Sequence, residues 1–376
     1  MNQTPSSPAF TAVSRREFIG RMSLGAAATL LASRAQGEPA PGSRKLGVAL
    51  VGLGSYSRGQ LAPALKLTKH CRLAGVVTAS PDKGRQWAKD HGFSEQAVYS
   101  YDAIGRMAEN PEIDIVYVVT PNGLHAEHAI AAAKAGKHII CEKPMANTVG
   151  ECDAILAACR AAQRKLSIGY RLHFDPYHQE MMRLAREKDF GALTRLTGKR
   201  AFMLRPGAWR ADKKLAGGGP MMDLGVYIIQ AACMVAGEVS PTAVTAQELP
   251  KTKPQQFPEV EEGIRWTMEF PNGVKCEAST SYTDTGDTFR AEGDKGWIQF
   301  KERAFTYRGM VVETSRGPLK FEPPVNQQTL QMDDFALCVR ENRESIIPGE
   351  MGRRDLAIVE AIYAAARTGQ RTVVKG

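Results

Sequence analysis

A lysine, an aspartate and a tyrosine form a set in this 376-residue chain that could move a proton. Lys143 stands in Glu142-Lys143-Pro144, directly after the apolar run His138 to Cys141. Asp223 and Tyr227 follow Gly217-Gly218-Gly219-Pro220, in a segment that reads as a helix with the proline in its first turn. At a spacing of four they share one helix face. A free phenol, with a pKa of about 10, acts as a base near neutrality only beside a cation. Lys143 is the candidate cation. The expected roles are Tyr227 as general acid/base, Lys143 as the group that tunes it and holds a hydroxyl, and Asp223 as a hydroxyl acceptor. Asp223 and Lys143 can exchange part of these roles.

A second set could hold a dinucleotide. Gly52-Leu53-Gly54-Ser55-Tyr56-Ser57 follows a strand-length apolar run, Leu46 to Val51, and opens a predicted helix from Ser57 to Lys69. Gly52 suits a tight turn, Gly54 lets the backbone approach a pyrophosphate, and the helix N-terminus faces the phosphates. Ser57 replaces the third glycine of the usual pattern. The next strand, Arg72 to Thr78, should end in a carboxylate if a free ribose 2′-hydroxyl is to be bound. It ends instead in Thr78-Ala79-Ser80-Pro81-Asp82-Lys83, which offers hydroxyls and a cation. NADP is therefore expected over NAD, with Thr78, Ser80 and Lys83 at the 2′-phosphate and Arg85 as an alternative cation.

These residues need a frame. Ile113 to Val119 and His138 to Cys141 read as further buried strands, separated by an alanine-rich helix from His125 to Ala135. Strands alternating with helices predict an α/β fold with a doubly wound parallel sheet. After a helix over 148–163 the texture changes. Segments 194–202, 242–249, 263–270 and 274–282 resemble half-buried strands, with Pro271-Asn272-Gly273 as a hairpin turn. Helices return over 328–340 and 353–368. The expected plan is a Rossmann domain over 45–165 and an α+β domain with an open-faced, mostly antiparallel sheet over 166–376.

The chain's ends and charges narrow the class. Ser14-Arg15-Arg16-Glu17-Phe18-Ile19, the apolar run from Met22 to Ala32 and the small residues around Ala35 read as a twin-arginine export signal over 1–35, followed by a flexible arm over 36–44. A folded exported protein, periplasmic and loaded with cofactor before export, is the expectation. That apolar run falls short of the roughly 20 residues a membrane span needs, and no later run is expected to qualify, so no stable anchor is foreseen. The signal carries +3 of the net charge of +9, and the remaining basic residues are interspersed with carboxylates. This excludes a nucleic-acid-binding stripe. Seven cysteines lack Cys-x-x-Cys or zinc spacing, so neither a metal site nor a disulfide framework is indicated, and Cys152 and Cys159 read as buried packing.

Together with Thr120-Pro121-Asn122-Gly123-Leu124-His125, Tyr170-Arg171-Leu172-His173-Phe174-Asp175-Pro176 and Trp209-Arg210, these motifs resemble the Gfo/Idh/MocA oxidoreductases, and the glucose-fructose oxidoreductase branch with its aldose-oxidising relatives most of all. The resemblance covers nearly the whole chain. It implies hydride transfer between a sugar and a nicotinamide, oxidation of an aldose at C1 to the lactone, reduction of a second sugar to a polyol, and a homodimer or larger assembly. By the same resemblance Thr120, Pro121, Asn122, His125, Glu142, Arg171, Trp209 and Arg210 join the expected cofactor pocket, with Tyr282 beside it; the peptide before Pro144 is a candidate for cis because X-Pro is the one context where cis costs little. Two rivals stay open at this point: a glycosidase of the superfamily that uses NAD, and a sugar dehydrogenase with an exchangeable nucleotide.

Overall fold

The computed structural model describes residues 44–322 and 325–375, so the expected signal and all but the last residue of the arm lie outside the described residues. The first domain alternates strand and helix. Its elements are β1 (Leu46–Val51), α1 (π-wound over Ser57–Leu61, then α-helical over Ala62–Leu67), β2 (Cys71–Val77), α2 (Pro81–His91), β3 (Val98–Tyr99), β4 (Ile115–Val118), α3 (His125–Lys134), β5 (His138–Cys141), α4 (Val149–Ala161) and β6 (Leu166–Ile168). The six strands are parallel in the order β3-β2-β1-β4-β5-β6. Every residue of β1 and β4 is buried, as a sheet covered by helices on both faces requires. Crossing over from β1 to β4 leaves a crevice at the carboxyl ends of the strands, between the loop after β1 and the loop after β4. The local signals are explicit: Thr148 and Glu151 close a capping box at the start of α4.

The second domain opens with α5 (Pro176–Arg186) and β7 (Leu193–Ala201), continues through α6 (π-wound over Met221–Gly225, then α-helical over Val226–Val235), and runs through β8 (Ala243–Glu248), β9 (Gly263–Glu269), β10 (Lys275–Ser281), β11 (Gly286–Gly293), β12 (Gly296–Glu302), β13 (Val311–Thr314) and β14 (Gly317–Leu319). Helices α7 (Gln327–Arg340) and α8 (Gly349–Thr368) follow, then β15 (Thr372–Val373). The nine strands form one sheet, β14-β13-β12-β11-β7-β10-β9-β8-β15, antiparallel except where β7 meets β10. The four strands β11 to β14 were not among those read from the sequence.

The expected boundary at 165 cuts the structure in the wrong place. Strand β6 lies beyond it yet completes the Rossmann sheet beside β5. Helix α7 also returns to the first domain: Met332, Phe335, Ala336 and Cys338 pack in one core with Leu46, Val48, Leu61 and Leu73. Its Asp333 accepts the Lys69 and His70 N–H groups at 2.9 and 2.8 Å. The two domains therefore share a chain that crosses back and forth.

One further expectation is amended. The run Lys213–Val235 is long and apolar enough to cross a membrane by composition, but here it is almost wholly buried. Every residue of Val226–Val235 is buried, against β7 on one side and α5 and α8 on others. The seven cysteines are free and buried, Cys152 and Cys159 among them, and no group of three or more metal-ligating side chains gathers among the described residues.

Gly198 sets how closely α6 approaches β7. A Cβ built there would lie 2.6 Å from Ile228 Cγ2 and 3.3 Å from Phe289. Because a branched side chain cannot swing clear, Gly198→Val is expected to destabilise the fold by about 1–3 kcal/mol through overpacking. Urea unfolding of the two proteins measures this; an unchanged midpoint and slope would show that the helix can retreat freely.

Candidate active site

The loop after β1 carries the features a pyrophosphate requires. Gly52 holds φ = +103°, a conformation that a side chain would strain, and its N–H bonds to Val77 O at 3.0 Å. A Cβ on Gly54 would meet nothing within 4 Å, so the loop faces open space there. Ser57, the irregular position, is buried and donates its hydroxyl to Gly52 O at 2.6 Å. The serine thus ties the first helical turn back to the glycine turn, a brace that a third glycine could not supply. Leu53 is buried beneath the loop, while Ser55 is exposed and Tyr56 half-buried at the start of α1.

Thr78 and Ser80 sit at the end of β2, with Thr78 Oγ1 accepting Ser80 N–H at 3.2 Å and Ser80 capping α2. The Lys83 ammonium donates to Leu53 O and so lies across the glycine loop. Arg85 pairs with exposed Asp82 instead. The two candidate cations are therefore not equivalent: Lys83 belongs to the loop, Arg85 to the surface. Strand β2 runs into Thr78 with no carboxylate at that position, and the open cradle and the helix terminus fit a nicotinamide dinucleotide.

Strand β5 delivers Glu142 and Lys143 to the same carboxyl edge. Glu142 is buried and accepts Tyr117 Oη at 2.8 Å; burial pushes its carboxyl above the usual range against that bond and the Lys143 charge. The Lys143–Pro144 peptide is cis. His125, expected in the cofactor pocket, is buried between two backbone carbonyls. Its Nδ1 lies 2.8 Å from Pro144 O and its Nε2 2.8 Å from Thr120 O, so the ring sits between the loop after β4 and the Lys143–Pro144 turn, and in its neutral form it donates to one of these two carbonyls. Burial pushes its pKa down to about 4. Thr120 is likewise committed, through Oγ1 to His128 Nδ1 at 3.1 Å, and Asn122 donates to Ala216 O at 2.9 Å, tying this loop to the second domain. Pro121 carries the chain between them, half-buried.

Helix α6 is anchored by a residue the sequence reading missed. Glu261 accepts the N–H groups of Gly219 and Met221 at 2.8 and 2.9 Å and the Tyr363 hydroxyl at 2.9 Å. Its carboxylate caps the helix terminus, where an anion is stabilised. A Cβ on Gly219 would lie 2.2 Å from Glu261 O, which explains the glycine. Adjacent Glu261 and Glu262 look in sequence like a solvated pair; only the glycine run, with its bare N–H groups, hinted that a buried acceptor was needed.

From this anchor Asp223 reaches across to Lys143. The ammonium donates to Asp223 O at 2.9 Å and lies 3.6 Å from Oδ1. Arg210 Nε holds Oδ2 at 2.8 Å, Tyr282 Oη donates to it at 3.3 Å, and the Arg210 guanidinium covers Trp209 at 4.7 Å. Trp209 and Arg210, expected in the cofactor pocket, thus belong to the Asp223 end. Burial raises the Asp223 pKa, but Lys143, Arg210 and Arg200 outweigh it and hold the carboxyl below its ordinary value.

Tyr227, one turn on, is surrounded by cations. Lys143 Nζ stands 4.3 Å from its ring centroid, Arg200 at 4.4 Å and Arg171 at 5.5 Å. Burial raises the phenol pKa; Lys143, Arg171 and Arg200 more than offset this, and the result lies below the ordinary value. Arg171, also expected in the cofactor pocket, is buried beside the tyrosine. Its guanidinium donates to Thr306 O, Phe305 O and Gln327 Oε1 and stacks on Tyr307 at 4.3 Å. Arg200 and Tyr307 were missed. Arg200 was recoverable, since it continues the face of Leu196 and Gly198 on β7; nothing local marks Tyr307.

Residues 46–170 match the family model described as oxidoreductase family, NAD-binding Rossmann fold, and 178–299 match the GFO/IDH/MocA C-terminal domain. Aldose-aldose oxidoreductase from Caulobacter crescentus, solved with glycerol, is 39% identical over 88% of this chain and all of its own, with a TM-score of 0.85. D-xylose 1-dehydrogenase [NADP(+)] of Haloarcula marismortui is 26% identical over 85% of this chain and 91% of its own. 1,5-Anhydro-D-fructose reductase of Ensifer adhaerens is 25% identical over 87% and 98%.

Glu261→Ala removes the acceptor for two buried backbone N–H groups. Leaving them unsatisfied is expected to destabilise the protein by about 2–4 kcal/mol, and Glu261→Gln, which keeps an acceptor oxygen, by less. Thermal melts of both variants check the order; equal losses would mean that the glycine turn does not depend on this acceptor.

Proposed function

This chain belongs to the Gfo/Idh/MocA oxidoreductase family, and on that premise we propose that it oxidises an aldose at its anomeric carbon to the lactone and reduces a second sugar to a polyol, using one bound and recycled NADP. The observation that carries this reading is the meeting of Lys143, Asp223 and Tyr227 at the carboxyl edge of the parallel sheet, beside the glycine loop. The likeness to an aldose-aldose oxidoreductase supports the paired sugars. The Thr78 to Lys83 turn, together with the NADP(+) in the name of the Haloarcula relative, supports the nucleotide.

The loop from Gly52 to Ser57, with Lys83 across it, would hold the dinucleotide, and its nicotinamide would supply the hydride acceptor and donor for the two sugars. The side chains handle the proton. Tyr227, its phenol made acidic by three cations, takes the proton from the anomeric hydroxyl as the C1–H pair departs. Lys143 and Asp223 orient that hydroxyl and its neighbour, the ammonium donating and the carboxylate accepting. In the return half the protonated Tyr227 gives its proton to the carbonyl oxygen that becomes the new hydroxyl. One group thus serves both directions.

Arg15-Arg16 supports export by the twin-arginine route to the periplasm, with the nucleotide loaded in the cytoplasm before transit. A homodimer or larger assembly is supported by the outer face of the second-domain sheet, where Arg195, Thr197, Lys199, Glu277 and Ser279 are exposed or half-buried. Sugars are then the only consumable partners.

Protein purified from the cytoplasm is expected to carry NADP in near-stoichiometric amount, released only on denaturation and identified by mass spectrometry. Adding an aldose alone should reduce it in a single turnover, and a second sugar should reoxidise it. A nucleotide-free preparation that needs stoichiometric added NADP would instead indicate a dehydrogenase with exchanging cofactor, and tighter NAD binding would overturn the Thr78 to Lys83 reading.

Tyr227→Phe should lower kcat by about 10²- to 10⁴-fold, the range of general acid/base contributions, with nucleotide binding unchanged. In the wild type, sugar oxidation needs the deprotonated phenol, so kcat/KM should rise with pH through a midpoint below the ordinary tyrosine value. Lys143→Met should move that limb to higher pH. A flat profile, or an active phenylalanine variant, would remove Tyr227 from the mechanism.

A further inference from the structure

Strand β7 places its even-numbered residues Leu196, Gly198 and Arg200 on one face. Leu196 is fully buried and Gly198 abuts Ile228 of α6, so this is the face turned to the core. An arginine in that row is the exception. Its guanidinium lies 4.4 Å from the Tyr227 ring centroid and 5.5 Å from that of Phe305. In the antiparallel register Asp287 of β11 stands directly opposite Arg200, with both carboxylate oxygens 3.1 Å from Nη1. Asp287 also accepts Phe305 N–H at 3.0 Å, which fixes the carboxylate from a third side. The buried Nε of Arg200 has no hydrogen-bond partner among the described residues.

A half-buried ion pair of this kind does little for stability; an apolar pair of equal volume often does as well or better. Its position therefore calls for another role. We propose that the Arg200–Asp287 pair is a positioning device for the acid/base step: Asp287 holds the Arg200 guanidinium over Tyr227, and that cation stabilises the deprotonated phenol from the second-domain sheet. This rests on the reading of Tyr227 as acid/base. The groups that face the ring come from every side: Lys143 and Glu142 from the edge of β5, Arg171 from the turn after β6, Arg200 from β7 and Tyr307 from the loop after β12, with Asp223 one turn earlier on α6. Lys143 is held by Asp223 and Arg171 by neutral acceptors. Arg200 is the closer of the two arginines, and its field at the ring is set by how far Asp287 neutralises it.

The two partners then act with opposite sign. Arg200→Gln removes a cation and should raise the pH at which Tyr227 ionises; Asp287→Asn removes the balancing anion, leaves the arginine, and should lower it. Arg200→Lys should return the midpoint part of the way to the wild type. The measurement is the ultraviolet tyrosinate titration of the purified full-length protein, with the Tyr227→Phe trace subtracted to isolate one ring. The acidic limb of kcat for sugar oxidation should move in the same order, with KM little changed, and Arg200→Gln should lose about tenfold or more near neutrality, as expected for loss of an opposite charge within about 4–6 Å. A merely structural cross-strand pair would give shifts of one sign, or none, in both variants, and either result overturns the proposal. Should Arg200→Gln fail to fold, Arg200→Lys against Asp287→Asn keeps the same test. A wild-type Tyr227 transition that ignores Arg200 sinks this inference alone; the absence of any Tyr227 transition sinks the acid/base assignment and this inference with it.

Discussion

The contact between Lys143 and Asp223 is the interaction on which the rest of the site depends. One partner hangs from the carboxyl end of a Rossmann strand, the other from the first turn of a helix in the second domain. Neither domain alone could build the cluster. The cost of taking both charges out of water is met only because each has further partners: the ammonium also has Asp223 O and the Tyr227 face, and the carboxylate also has Arg210 and Tyr282. Asp223 would keep Arg210 and Tyr282 if Lys143 were lost, but the link between the two domains at this point would go.

Around that contact the backbone is braced by buried polar side chains. His125 sits between the β4 loop and the Lys143–Pro144 turn, Asn122 ties the same loop to Ala216, and Glu261 holds the glycine turn that begins α6. Each satisfies backbone polar groups that burial would otherwise leave unpaired. The return of α7 to the Rossmann core, through Phe335 and Asp333, adds a second attachment. A near-attack geometry is held to fractions of an ångström only when such supports are rigid.

How much of this could be read from the chain follows from what each feature depends on. The glycine loop, Lys143 after a strand, and the Asp223–Tyr227 spacing are local, and local rules found them. The parallel sheet was legible because buried strands and an alanine-rich helix alternate within short distances. Strands β11 to β14 were not, since their residues mix buried and half-buried positions and their pairing is made by partners far away in the chain. The family motifs name Arg171, Trp209 and Arg210 without saying which protein groups they touch; that Arg171 lies by Tyr227 and Arg210 on Asp223 is set by tertiary packing. Burial decides whether Glu261 is a surface charge or a helix cap, and burial is a property of the whole fold.

The number of cations around Tyr227 has a physical reason. On the proposed reading, a group that takes a proton from one sugar and gives it to another works best when its proton affinity lies near the ambient pH. Burial drives a phenol away from that condition, because the charged form loses its hydration. Lys143 alone cannot restore the balance, being already drawn to Asp223. Adding bare charge would over-correct and would itself be costly to bury. Arg171 held by neutral acceptors, and Arg200 partly balanced by Asp287, are graded additions instead, each fixed by its own partners. On that reading the second domain supplies, through Arg200, part of the tuning of Tyr227.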